Sequence, residues 1–258
     1  MIHTLQSPYT TLQDVIDGLG GIERGLRKNG DRRAVFTTAY LNMTLEIAGR
    51  VGESSFFDPT WVGRYAVAFA NLYRTALLSY ESGDLERTPK PWRQSFDASK
   101  NGRALLIQDL LLGVNAHINH DLALALVEAT IDPDRPKRRA DHTAVNESIR
   151  RATDPVQEAV TSYYAPALKR FDRFFGRIDE ELTSFSIDKA RLAAWISAVS
   201  LTNARDETER TEVRGSIEDR ASVMARLILR PTMPSRVIGA IQRLEARTHW
   251  TDLIPSPH

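Results

Sequence analysis

Apolar side chains recur every three to four residues along most of this chain, the period of helices that each bury one face. Thr10 or Thr11 can cap a first helix reaching about Lys28. Asp31 is positioned to cap a second, on which Phe36, Tyr40, Met43 and Ile47 fall at i, i+4, i+7 and i+11 and make one stripe. Asp58-Pro59 is a strong start signal. An acceptor side chain sits at the cap, and proline takes the first helical position, where its missing N–H costs nothing. That helix is predicted to run to about Ser82, where Gly83 stops it, with the stripe Trp61, Tyr65, Phe69, Leu72, Tyr73, Ala76 and Tyr80.

A proline-bearing turn at 88–91 precedes a short segment with Trp92 and Phe96, and a long helix is predicted over roughly 103–130. Residues 132–139, with Pro133 and Pro136, read as a loop. Further helices are expected near 141–151, 154–175, 187–204, 208–229 and 234–248, with Asp154-Pro155 repeating the cap-then-proline start. No sustained alternation and no Asn-Gly or Asp-Gly hairpin appears, and there is no internal repeat. The pattern implies an all-α fold. We expect a single multi-helix bundle over residues 1–250, built around a central buried helix, with a loose tail at 251–258.

Composition narrows the functions. Thirty-four Lys and Arg nearly cancel thirty-three Asp and Glu, so no global field is present to hold polyphosphate, and nucleic acid is not an expected partner. The basic run from Arg135 to Arg139 reads as a solvated loop. With no cysteine, disulfides, thiolate chemistry and Cys-containing zinc sites are excluded. The first residues show no secretory pattern, and by reading of the sequence no apolar run approaches the ~20 residues of a membrane span. The expectation is therefore a cytoplasmic protein without stable membrane insertion. Nothing in the pattern encodes an oligomeric state.

The dense polar chemistry lies in the apolar stretch from Leu110 to Leu126. On a wheel of about 100° per residue, Gly113, His120, Asp121 and Leu124 cluster within roughly 60° of His117, while Asn115, Asn119, Leu122 and Leu126 lie opposite. Buried polar groups need partners, so these side chains require other helices or a ligand. His117 and Asp121, at i and i+4, can share one metal ion or bond each other, and His120 can join them. Gly113, one turn before His117, allows close approach.

Candidate catalytic residues are therefore His117, Asp121 and His120. A divalent ion such as zinc, manganese or iron could use the same three, completed by Asp141 or Glu46. Asn115 and Asn119 would either orient a ligand or tie helices together through their amides. Trp61, Tyr65, Tyr73 and Trp92 would line an apolar pocket or simply fill core. Two functions stay open. One is a metal-assisted hydrolase acting on a small or lipid-like substrate between helices. The other is a non-enzymatic bundle binding an apolar molecule or a protein, its His/Asn/Asp cluster purely structural. The dinucleotide fingerprint, the Walker loop, His-Glu-x-x-His and the Gly-x-Ser-x-Gly elbow are all missing.

Several blocks resemble a bacterial and archaeal family catalogued only as a domain of unknown function. They are Phe56 to Trp61, Phe69 to Tyr73, Trp92 with Phe96, Leu110 to Leu122, Asp141 with Asn146, Pro155 to Gln157, and Arg191 with Trp195. That resemblance implies no activity, and it favours His117 and Asp121 over His120. More loosely, Gly113, His117 and Asp121 resemble the Gly-x-x-x-His-x-x-x-Asp helix of zinc-dependent phospholipase C and P1-type nucleases, where it supplies metal ligands. The chain departs from that group in beginning with Met1 and in having few histidines, so the resemblance implies one or two metals at most.

Overall fold

The computed structural model describes residues 5–102, 104–164, 187–230 and 234–246, and among them every regular element is helical. The chain forms α1 (Leu12–Lys28), α2 (Ala34–Gly52), α3 (Pro59–Glu81) and α4 (Lys90–Asn101). A central helix follows in three parts: α5 (Leu106–Asn115), a π-helical segment (Ala116–Asp121) and α6 (Leu122–Glu128). Then come α7 (Arg135–Tyr164), α8 (Ile187–Asn203), α9 (Glu207–Ile228) and α10 (Ser235–Ala246).

Local chemistry sets most of the starts. Thr11 and Asp14 make a reciprocal capping box on α1, with Asp14 N donating to Thr11 Oγ1 (3.1 Å) and Thr11 N to Asp14 Oδ2 (2.9 Å). Asp58 Oδ1 accepts from Trp61 N at 2.8 Å, as its cap-then-proline sequence predicts. Asp31 acts two residues upstream of its expected role. Its side chain accepts from Arg33 N at 3.0 Å while its carbonyl receives Ala34 N, so a tight lead-in turn precedes α2. At the end of α4, Gly102 takes φ +62°, the left-handed conformation that terminates helices at least cost to glycine.

Two boundaries differ from expectation, both in α7. The helix begins at Arg135, inside the stretch read as a loop, and it continues through Asp154-Pro155 instead of restarting there. A proline inside a helix removes one hydrogen bond and costs roughly 3 kcal/mol. Here Val145, Ile149, Ala152, Val156 and Val160 keep one unbroken stripe across that point, and α7 packs against α2 along it. Packing therefore outweighs the local break. The expected continuation to 175 and the tail at 251–258 lie outside the described residues.

The central helix is surrounded by α2, α3, α4, α8 and α9. Its first half, with Leu106, Leu110 and Leu111, joins one apolar cluster with Phe36, Tyr73, Trp92 and Phe96. Leu122, Ala125 and Leu126 join a second with Trp61, Tyr65 and Trp195. Leu106–Glu128 corrects one sequence expectation. Its 23 residues, at mean hydropathy 1.3, are long and apolar enough to cross a membrane, although 72% of that window is buried within the bundle. A helix sheathed on all sides is apolar all round for the same reason a spanning helix is.

Candidate functional site

The wall of the central helix becomes chemically distinct at its π segment. Leu122 N–H bonds to His117 O, five residues back, and the wider turn carries His117, His120 and Asp121 in succession. Single π turns inside α-helices are rare and are found frequently at functional sites.

Asp121 is the hub. Its Oδ2 accepts from Trp92 Nε1 at 2.8 Å and from His117 Nδ1 at 3.1 Å, and its Oδ1 accepts from His120 Nδ1 at 2.7 Å. Burial pushes this carboxyl up. The hydrogen bonds from His117 and His120, and then their charges, outweigh burial and hold it below the usual carboxylate range. Burial holds His117 below its ordinary value despite the bond to Asp121, so the ring is neutral at pH 7. A neutral ring donating through Nδ1 leaves Nε2 as a lone-pair acceptor.

That Nε2 is buried and has no hydrogen-bond partner among the described residues. The ring lies flat on Phe69, with centroids 3.4 Å apart and planes at 8°, and meets the edge of Tyr40 at 4.3 Å. His117 also lines a cavity of about 200 Å³ between α2, α5 and α7. Phe36, Tyr40, Met43 and Ile47 form one wall and Val145, Ile149, Val156 and Val160 another. Both are single stripes of their helices.

The other candidates have separate assignments. Asn115 Nδ2 donates to Ala221 O on α9 at 2.9 Å and Asn119 Nδ2 to Asn115 Oδ1 at 2.8 Å, so these amides join the central helix to α9. Trp61 Nε1 donates to Ala129 O and Thr130 O and closes the end of α6. The Tyr73 hydroxyl pairs with Thr37 Oγ1 at 2.7 Å. Tyr65 stacks on Trp61, and Trp92 is committed to Asp121. None of these lines the cavity, whose aromatic wall is Phe36, Tyr40 and Phe69.

The five residues considered for a metal do not converge. Both Asp141 oxygens accept backbone N–H groups, from Phe57 at 2.7 Å and Asp58 at 2.9 Å, and so hold the turn before α3. Glu46 is half-buried on α2. Among the described residues no group of three His, Cys, Asp or Glu could hold a metal ion. His117 Nε2 and His120 Nε2 are the ring nitrogens not engaged with Asp121, two ligands where zinc sites use three or four.

Sequence reasoning missed a second buried cluster, around His142 and Arg191. His142 Nε2 donates to Arg191 O at 3.1 Å, which leaves Nδ1 to accept from the Tyr65 hydroxyl and from Arg191 Nη2, both at 3.3 Å. Arg191 Nε donates to Asn146 Oδ1 and Nη2 to His142 O, each at 2.5 Å. The one signal was that Asn146 and Arg191 each fall in one of the blocks quoted above, Asn146 with Asp141 and Arg191 with Trp195. Burial, and then the Arg191 charge, hold His142 well below its ordinary value.

A pH dependence follows. His117 and His142 are neutral when folded but protonate below about pH 6.5 when unfolded, so the unfolded chain binds more protons there. Their stabilising contribution is full above pH 6.5 and falls away as pH drops through that value. Glu245, pushed up to about 6 by burial, acts in the opposite sense: its contribution is present at low pH and is lost as pH rises through 6. Melting temperature should therefore begin to fall below pH 6.5, with the fall blunted below pH 6. His142→Gln, which keeps an N–H donor and an acceptor oxygen but no titrating ring, should flatten the upper part in melts from pH 7.5 to 5. A flat wild-type profile would contradict two neutral buried histidines.

Residues 12–231 match a family described as a family of unknown function, DUF5995. No curated protein and no solved structure shows significant similarity to the chain. The match takes in α1 to α9, and with them the π segment, Asp121 and its three donors, and every residue lining the cavity. The chain belongs to the DUF5995 family.

Proposed function

We propose that this protein binds an apolar small molecule in the cavity between α2, α5 and α7, with His117 as its fixed polar contact. The observation that carries this is the Nε2 of a buried, neutral imidazole, without a hydrogen-bond partner among the described residues, on the wall of a mostly apolar cavity. Leaving a buried acceptor unpaired costs about 1–3 kcal/mol, and a ligand donor would recover it. Pockets that are mostly apolar with a few placed polar groups are the usual form of small-molecule sites. At about 200 Å³ the space exceeds the roughly 150 Å³ of an engineered apolar cavity that holds benzene. Asp121 and Trp92 fix the ring, so the acceptor needs no reorganisation on binding.

N-phenyl-1-naphthylamine, neutral, apolar and carrying one N–H donor, is a suitable probe. Its fluorescence should rise saturably with one site per chain. Val114→Trp, which fills the cavity, should abolish the rise while the fold persists. Absence of saturable binding to the wild type would remove the proposal.

A second reading has one observation in its favour: Asp121 holds the Nδ1–H of His117, the orientation of a carboxylate–histidine base. On that reading the chain is a hydrolase, and Nε2 takes a proton from water attacking an ester or phosphoester in the cavity. A divalent ion, if held, would sit at Nε2, and Asp121 would steady the ring as carboxylates do for metal-binding histidines. Stoichiometric zinc, manganese or iron in protein purified without an affinity resin, lost in His117→Ala, would favour the metal form. Turnover of p-nitrophenyl esters abolished by the same variant would favour the metal-free one.

A further inference from the structure

Arg191, near the start of α8, is 4% exposed and lines the cavity, yet it pairs with no carboxylate among the described residues. Every other cavity-lining residue is uncharged, His117 included at neutral pH. Two of its nitrogens are used: Nε on Asn146 Oδ1, and Nη2 on His142 O and Nδ1. All these partners are neutral, and Nη1 makes no hydrogen bond among the described residues.

The remaining buried arginines show how unusual this is. Arg33 is paired with Asp31 and Glu81. Arg74 also lacks a carboxylate, but each of its nitrogens is occupied, by Leu5 O, Asn71 Oδ1 and Thr75 Oγ1, and it faces no cavity. Among the described residues, Arg191 is the buried arginine that lines this cavity with a spare donor and without a carboxylate partner. A buried ion without a counter-ion is costly, and the two hydrogens of Nη1 remain free to donate charge-assisted bonds to a carboxylate.

We propose that the cavity ligand is a medium-chain aliphatic carboxylic acid, its carboxylate on Arg191 and its chain along the stripes of α2 and α7. This rests on the binding proposed above and adds the charge and headgroup. Asn146 and His142 position the guanidinium: they hold Nε and Nη2 and leave the Nη1 side toward the ligand. The apolar walls from Met43 and Ile47 to Val156 and Val160 then receive the chain. Within this class, a hydroxyl further along the chain would supply the donor that His117 Nε2 accepts, and octanoate tests the headgroup contact alone.

Octanoate and octan-1-ol share a chain length and differ in charge at pH 7.5, which makes them the probes for isothermal titration calorimetry. Wild-type protein should bind octanoate at least tenfold more tightly than octanol. Arg191→Gln should erase that preference while retaining octanol binding, so the same variant reports an intact cavity. Arg191→Lys, which keeps the charge but loses the positioning of Nη1 by Asn146 and His142, should retain a preference reduced by about half a decade or more. If Arg191→Gln does not fold, raising salt from 0.05 to 0.5 M provides a second measurement, with octanoate expected to be affected less than a surface ion pair because the site is buried. Equal binding of both probes to the wild type overturns this inference and leaves the apolar-ligand proposal standing. Failure of both to bind, together with failure of the naphthylamine, overturns both.

Discussion

Asp121→Ala is expected to lower folding stability by about 3–5 kcal/mol, the range for removing one member of a buried charged network. The reason is arithmetic on donors. Trp92 Nε1, His117 Nδ1 and His120 Nδ1 all end on this one carboxylate, and all four side chains are buried. Alanine leaves the three N–H groups facing a void on the central helix, with Trp92 and His117 also tied into the aromatic cluster through Phe36. Asp121→Asn should cost less, about 1–3 kcal/mol, because the amide oxygen can serve the Trp92 and His117 side while His120 changes tautomer to accept from the amide. Urea denaturation followed by circular dichroism measures both. A loss below about 1 kcal/mol for Asp121→Ala would mean that the three donors find other partners and that Asp121 is not the hub.

Gly113→Ala is expected to destabilise the protein by about 2 kcal/mol, within the 1–3 kcal/mol usual for overpacking. Intrinsic propensity alone predicts the opposite, since alanine in a helix interior is favoured over glycine by about 1 kcal/mol. Tertiary contact decides the sign. A Cβ at position 113 would lie 2.4 Å from Phe36 Cγ and 2.7 Å from its Cβ, far inside contact distance and against the root of a ring that cannot swing away. Phe36 in turn stacks on Tyr40 and meets Tyr73, Trp92 and His117, so any shift propagates into the cavity wall. Phe36→Ala, which removes Cγ and the ring, should partly rescue Gly113→Ala, and the double mutant should be more stable than the sum of the single effects. An increase in stability for Gly113→Ala would show that the ring yields freely and that glycine is not required.

Much of the site was legible because helices translate sequence spacing directly into shared faces. His117 and Asp121, four apart, do bond each other, and Asn115 and Asn119 form their own line on another side of the same helix. The i, i+4 stripe from Phe36 to Ile47 is one wall of the cavity. What spacing could not supply was the destination of each face. Trp61 and Trp92, both aromatic and both near cap or turn signals, end in different clusters with different acceptors, one on backbone carbonyls and one on a carboxylate. Asp141 has the composition of a metal ligand, but it sits where two backbone N–H groups before α3 need an acceptor.

By itself the sequence determined the all-helical class, the capped starts of α1 and α3, and the burial of a polar row within one apolar helix. These depend on interactions between residues three or four apart, which the chain order contains. Tertiary structure alone decided three other things. It carried α7 through Pro155, because a stripe packed along α2 outweighs one lost hydrogen bond. It widened the central helix to a π turn at His117 to Asp121, where the i to i+5 bond forms within a helix packed on every side. It also placed Arg191, some seventy residues from His117, on the same cavity without a carboxylate partner among the described residues. Only long-range packing brings such groups together, and no local period records it.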